Sequence, residues 1–329
     1  MATNIDIFNP QISTVAKGLE GKVILVYGTN NVGKTKQATR MKKPFYLPFE
    51  KGLNAIAGVP FSPINSWSDF VKINKQLTDP KTVEQARELY STIIFDEVAA
   101  AANYCQEFIC AKYGATSIKS GNEGYGLWKE YEVEFWKQIN KLTGAGYTIY
   151  FIAHQEDKDG FIVPKADKRA ISPIIDNTDI CVYVKSNGVD EEGRVVKSSG
   201  YLAQTDEFFA RSRFDYIETY LPEFTAEALE QAVIGAIEAQ EKAEGITAVS
   251  YKEQKAQYTS VKRSYEDLMA EMQEVGEKIA NAGKFDDLQT IVEEHLGAGE
   301  KASDLKKGQE QVISLILDDL NEFLTSLQD

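Results

Sequence analysis

The stretch from Lys22 to Arg40, KVILVYGTNNVGKTKQATR, constrains this chain more than any other. An apolar run suited to a buried strand leads into a turn punctuated by Gly28 and Gly33, and Lys34-Thr35 then open a helical segment. A loop that wraps a phosphate with backbone N–H groups needs glycine where the chain approaches closely or takes positive φ. Gly28, Thr29, Asn30, Asn31, Val32, Gly33, Lys34 and Thr35 satisfy that need at the G-x-x-x-x-G-K-[ST] spacing. In such a loop Lys34 reaches the β and γ phosphates and the Thr35 hydroxyl binds Mg2+. ATP and Mg2+ are the ligands to expect.

Other candidate site residues follow in order. TIIFDEV, residues 92–98, reads as a buried strand ending in Asp96, placed to hold the magnesium hydration shell, with Glu97 beside it. Glu97 is a candidate general base, because a carboxylate next to the metal ligand reaches the γ-phosphate through one water. Glu50, after the strand-like run PFYLP, is a second candidate, and the sequence does not choose between them. His154 ends the run YTIYFIA, where a polar side chain would sense the γ-phosphate. Arg211 and Arg213 in FFARSRFDY come after the last core strand, where an arginine could complete a neighbouring subunit's site.

Short apolar runs alternate with amphipathic stretches up to Pro222, which implies an α/β core with a mainly parallel sheet covered on both faces. Candidate strands are 22–27, 45–47, 92–95, 147–153, 179–184 and 194–204. From 223 to 329 the pattern is almost wholly helical, so the expected division is a core over 1–222 and a helical region over 223–329. Tyr258, Val261, Tyr265, Leu268, Met272, Val275 and Ile279 alternate by three and four, the stripe of an amphipathic helix packed on its own domain or of a short coiled coil over 258–279. Further helices are expected over 285–296 and 304–327.

The net charge of −14 argues against a nucleic-acid partner only if it is evenly spread. It is not: residues 225–329 carry 10 basic and 22 acidic side chains, against 26 and 28 before them. The first two thirds can present a basic face, and two segments offer one. Residues 112–129, KYGATSIKSGNEGYGLWK, mix lysines with Tyr113, Tyr125 and Trp128, and residues 165–169 read KADKR. Backbone charge with stacking aromatics suits single strands; a mobile surface loop is the plainer reading. Cys105, Cys110 and Cys181 form no C-x-x-C pair, and His154 and His295 are too few for a His-rich centre, so magnesium is the metal expected. No apolar run approaches the ~20 residues of a membrane span, and MATNIDIFNP lacks the order of a secretory signal, which points to the cytosol and to no membrane partner.

Over about residues 15–222 the chain resembles the phage RecA-like P-loop ATPases of the Sak-four type, single-strand-annealing and recombination proteins. The resemblance rests on GTNNVGKT, the FEKGL run, IIFD, the strand ending in His154 and Ala210-Arg211-Ser212-Arg213. It implies a RecA-like core, Mg2+-dependent ATP hydrolysis, side-by-side assembly into a ring or filament, and action on single-stranded DNA with a phage single-strand-binding protein. It also makes Glu50 the catalytic glutamate and the arginines trans-acting contacts, while Glu97 departs from the family pattern. A helicase or helicase loader, a P-loop kinase, and a regulatory NTPase that never touches DNA are the alternatives.

Overall fold

The computed structural model describes residues 7–258 and 263–327. In chain order the core elements are β1 (Val23–Gly28), α1 (Lys34–Ala38), β2 (Pro44–Pro48), α2 (Trp67–Thr78), α3 (Val83–Leu89), β3 (Thr92–Asp96), α4 (Val98–Tyr113), α5 (Trp128–Ala145), β4 (Thr148–Lys158), β5 (Phe161–Lys165) and α6 (Lys168–Asn177). They continue with β6 (Ile180–Lys185), β7 (Ser199–Tyr201), β8 (Arg211–Ser212), β9 (Tyr220–Leu221) and α7 (Ala226–Glu244). Four helices complete the described chain: α8 (Tyr251–Tyr258), α9 (Tyr265–Asn281), α10 (Phe285–Leu296) and α11 (Glu310–Ser326).

The strands form one sheet in the order β2-β3-β4-β1-β6-β7-β9, with β5 on β4 and β8 on β6. From β2 to β6 every pairing is parallel, as the apolar runs imply; β5, β7, β8 and β9 join antiparallel. Alternation along each strand sends residues to opposite faces. Leu25, Tyr27, Phe95, Phe151 and Ala153 pack with α2, α4, α5 and α6. Ile24, Val26, Tyr46, Ile94, Tyr150 and Ile152 pack with Ala38 of α1 and with Leu229, Val233 and Ile237 of α7. The result is an α/β core in three layers, with helices on both faces of the sheet, and additional C-terminal helices.

Three expectations need correction. The division falls at 254/255, not at Pro222: Ser13–Gln254 is one compact unit, and 255–327 forms a second with 7–12. The reason is α7, whose apolar stripe covers a sheet face that water would otherwise reach. The heptad stripe over 258–279 is not one helix, because α8 ends at Tyr258 and Ser264 starts α9 by accepting from Asp267 N–H; Val261 lies outside the described residues. Leu268, Met272, Val275 and Ile279 pack within their own unit on Val292, Ile313, Ile316, Leu317 and Leu320, as an amphipathic helix on its own domain would. The strand expected over 194–204 shrinks to β7, since Arg194 turns back to pair with Asp190 and leaves Val195 exposed.

Candidate nucleotide site

The sheet register gathers the site. Gly28 lies level with His154 on one side and Val184 on the other, and Asp96 lies level with Pro48 and Ile152. All stand at the carboxyl edge of the parallel strands, where β1 connects to β2 on one side while β6 lies on its other side and a crevice opens. A cleft of about 880 Å³ lies there, lined by the loop residues Asn30, Asn31, Gly33, Lys34 and Thr35, by Thr39 and Arg40, and by Glu50, Gly52, 55–59, Asp96 and His154. That volume suits a nucleotide.

Local geometry explains the glycines. A Cβ on Gly28 would sit 2.3 Å from the Val184 carbonyl oxygen, and Gly33 has φ +90°, a left-handed conformation costly for other residues. Asn31 also takes positive φ, 64°, which its residue type tolerates. Lys34 is buried, and its ammonium donates to the Gly28 and Thr29 carbonyls at 2.9 and 2.6 Å. Burial pushes its pKa down to about 8, against the opposing pull of Asp96, Glu50 and Glu97. A cation held on loop carbonyls, with little water around it, is poised to exchange them for phosphate oxygens.

Asp96 is held from two sides. Thr35 Oγ1 and Tyr46 Oη both donate to its Oδ2, at 2.7 and 2.6 Å. Burial raises the Asp96 pKa, and these two hydrogen bonds oppose the rise. The hydroxyl and carboxylate are hard oxygen donors suited to Mg2+, and with Oδ2 taken the other carboxylate oxygen is left for a metal-bound water. Gly52 passes directly over the pair: a Cβ there would lie 2.3 Å from Tyr46 Oη and 2.4 Å from Asp96 Oδ2.

Glu97, Glu50 and His154 are brought together, with one ligating atom of each lying within 4.8 Å of the others. Glu97 is buried and caps α4, accepting from Ala100 N–H at 3.1 Å and Ala99 N–H at 3.3 Å. Burial raises its pKa, and His154 and the two backbone donors pull it back. Glu50 is half exposed, lines the cleft and lies 3.4 Å from His154 Nε2; its backbone N–H donates to the Asp96 carbonyl. Arg211 and Arg213 are elsewhere. The pairing of β8 with the start of β6 puts them at the amino edge of the sheet, where Arg211 donates to the Thr178 carbonyl and Arg213 to the Asp176 carbonyl and Asp179 carboxylate.

Sequence reasoning missed Tyr46, Gly52, Thr39, Arg40 and the 55–59 segment. Tyr46 had a signal: when β2 pairs with β3, Tyr46 stands opposite Ile94, two residues before Asp96 and therefore on its face.

A phosphate loop, a hydroxyl–carboxylate pair for a divalent cation and a nucleotide-sized cleft at the carboxyl edge of a parallel sheet define a P-loop nucleotide-binding protein. A family model described as an AAA domain matches residues 20–214, and the chain belongs to that family of P-loop ATPases. It is also similar to the SPbeta prophage-derived uncharacterized protein YorG of Bacillus subtilis (strain 168), with 60% identity over 321 residues covering 97% of this chain and 99% of that protein.

Proposed function

We propose that this protein hydrolyses ATP with Mg2+ and acts on single-stranded DNA in phage recombination or strand annealing. In this reading Lys34 neutralises the β and γ phosphates, while Thr35 and Asp96 hold the metal. A divalent cation held there would supply the charge that offsets negative charge developing on the phosphates. Glu50 is the general base: its carboxylate is accessible in the cleft, whereas that of Glu97 is engaged by the α4 backbone. His154 orients Glu50 and reports the γ-phosphate.

The observation that carries the DNA reading is the Arg169 guanidinium lying 4.2 Å from the centroid of the Trp128 ring. It joins the two candidate segments, 112–129 and 165–169, into one surface. Lys112 lies over the Tyr113 ring at 5.3 Å, and Tyr125 is 85% exposed, free to stack on a base. Lys165 is the strand partner of His154, so a ligand on this surface has a short path to the nucleotide site. The YorG relative, by its printed description, derives from a prophage, which agrees with a phage role.

The test is ATP turnover with and without single-stranded oligonucleotide, paired with binding measured across salt concentration. Stimulation, with affinity falling steeply as salt rises, supports the reading. Tyr125→Ala with Lys119→Ala should weaken DNA binding at least fivefold while nucleotide affinity stays put. Turnover indifferent to DNA, with no binding at low salt, would leave a nucleotide-driven regulator instead.

A further inference from the structure

We infer that Glu50, Glu97 and His154 form a binding site for a transition-metal dication of the zinc type, separate from the magnesium position at Thr35 and Asp96. The three side chains come from three places in the chain: the turn after β2, the N-cap of α4 and the interior of β4, where its parallel pairing with β1 ends. The fold alone brings their ligating atoms within 4.8 Å of one another.

The spacing also fits a shared cation. Glu50 Oε2 and His154 Nε2 are 3.4 Å apart, longer than the about 2.7–2.9 Å of a charge-assisted hydrogen bond. Two ligands on a tetrahedral zinc with bonds of about 2.0–2.1 Å stand roughly 3.3–3.4 Å apart. Glu97 is the fixed member, oriented by the N–H groups of Ala99 and Ala100 as ligating carboxylates commonly are. Glu50 is 51% exposed and can move the remaining distance to close the site. One imidazole with two carboxylates is a donor set that zinc and cobalt accept, whereas magnesium seldom takes nitrogen. Three protein ligands leave a fourth position open toward the cleft, which Glu50 and His154 line.

The consequence is a competition. A metal held here occupies the lone pair with which Glu50 would accept a proton from water, so metal binding and general-base action exclude each other.

The experiment uses the full-length chain without nucleotide, so that its outcome does not depend on whether ATP is hydrolysed. Titration with Co2+ should produce visible absorption bands of a four- or five-coordinate N/O site, saturating at one equivalent, and Zn2+ should erase them. His154→Gln, Glu97→Gln and Glu50→Gln should each weaken Co2+ binding tenfold or more. Unchanged melting temperatures in the glutamine variants would separate loss of a ligand from loss of fold. Absence of a protein-dependent band overturns the proposal. So does binding that survives all three substitutions, or a near-ultraviolet thiolate charge-transfer band, which would place the metal on a cysteine.

Discussion

At the residue scale the site depends on how Asp96 is held. Tyr46 is fully buried and its hydroxyl is one of two donors to Oδ2, so it positions the carboxylate without touching the nucleotide. Tyr46→Phe keeps the ring and removes one hydrogen bond to a charged group, worth about 1.5–3 kcal/mol. If the protein hydrolyses ATP as proposed, the Mg2+ concentration for half-maximal turnover should rise roughly tenfold. Mn2+, a stronger carboxylate binder, should restore much of the rate. An unaltered magnesium requirement would remove Tyr46 from the mechanism. Lys34 yields a pH prediction. Its burial-lowered pKa of about 8 lies below the ordinary lysine value, and phosphate binds the protonated form. Below pH 8 the ammonium is in place and nucleotide affinity should be flat. Above it, binding must take up a proton, so affinity should fall by up to about tenfold per pH unit. Calorimetry at pH 7, 8 and 9 in buffers of different ionisation heat would measure that uptake, and a flat profile through pH 9 would contradict it.

At the scale of elements, α7 belongs to the core although its sequence looks like the start of the helical region. Leu229, Val233 and Ile237 lie against the β1, β4 and β6 face, and fully burying each contributes about 1.5–3 kcal/mol. Their sum rivals the about 5–15 kcal/mol that stabilises a whole domain. A fragment ending at Pro222 should therefore fail to fold, while one spanning 13–254 should unfold cooperatively on heating. Circular dichroism melts of the two fragments decide the point, and a stable 1–222 fragment would show that α7 is dispensable. Glu97 also shows an element claiming a residue. Glu97 is the N-cap of α4 and its side chain accepts from the Ala99 and Ala100 N–H groups, so the start of α4 engages a side chain that the Asp-Glu pair alone marks as a base.

At the scale of the whole molecule, the arginines and the phosphate loop stand at opposite edges of one sheet, as the register of β8 and β6 against β1 requires. Arg211 and Arg213 stand too far from Lys34 to serve their own site; we propose that they complete the site of a neighbouring copy in a side-by-side assembly. Under that proposal Lys34→Ala chains and Arg211→Ala, Arg213→Ala chains are each inactive, and mixing them should restore turnover where an intact loop faces intact arginines. No recovery in stably mixed assemblies would leave the arginines as clasps on the Thr178–Asp179 turn, the role their contacts already give them.

The phosphate loop was legible in the sequence because its chemistry is local: glycines at fixed spacing, then Lys34 and Thr35 a few residues later, need nothing from the rest of the chain. The parallel core strands were legible for the same reason, since VILVY, TIIF and TIYFIA are apolar on both faces and leave little choice of environment. Other features were set by contacts between residues far apart in the chain. The Tyr46 grip on Asp96 spans 50 positions, and Glu50 meets His154 across 104. The heptad spacing over 258–279 described one face of a helix without fixing where the helix began, and Ser264 decided that. The end of the core could not be read from composition, because an amphipathic helix such as α7 carries the same pattern whether it covers a sheet or joins a separate bundle. Only the apolar face it covers distinguishes the two, and that face exists once the sheet has formed.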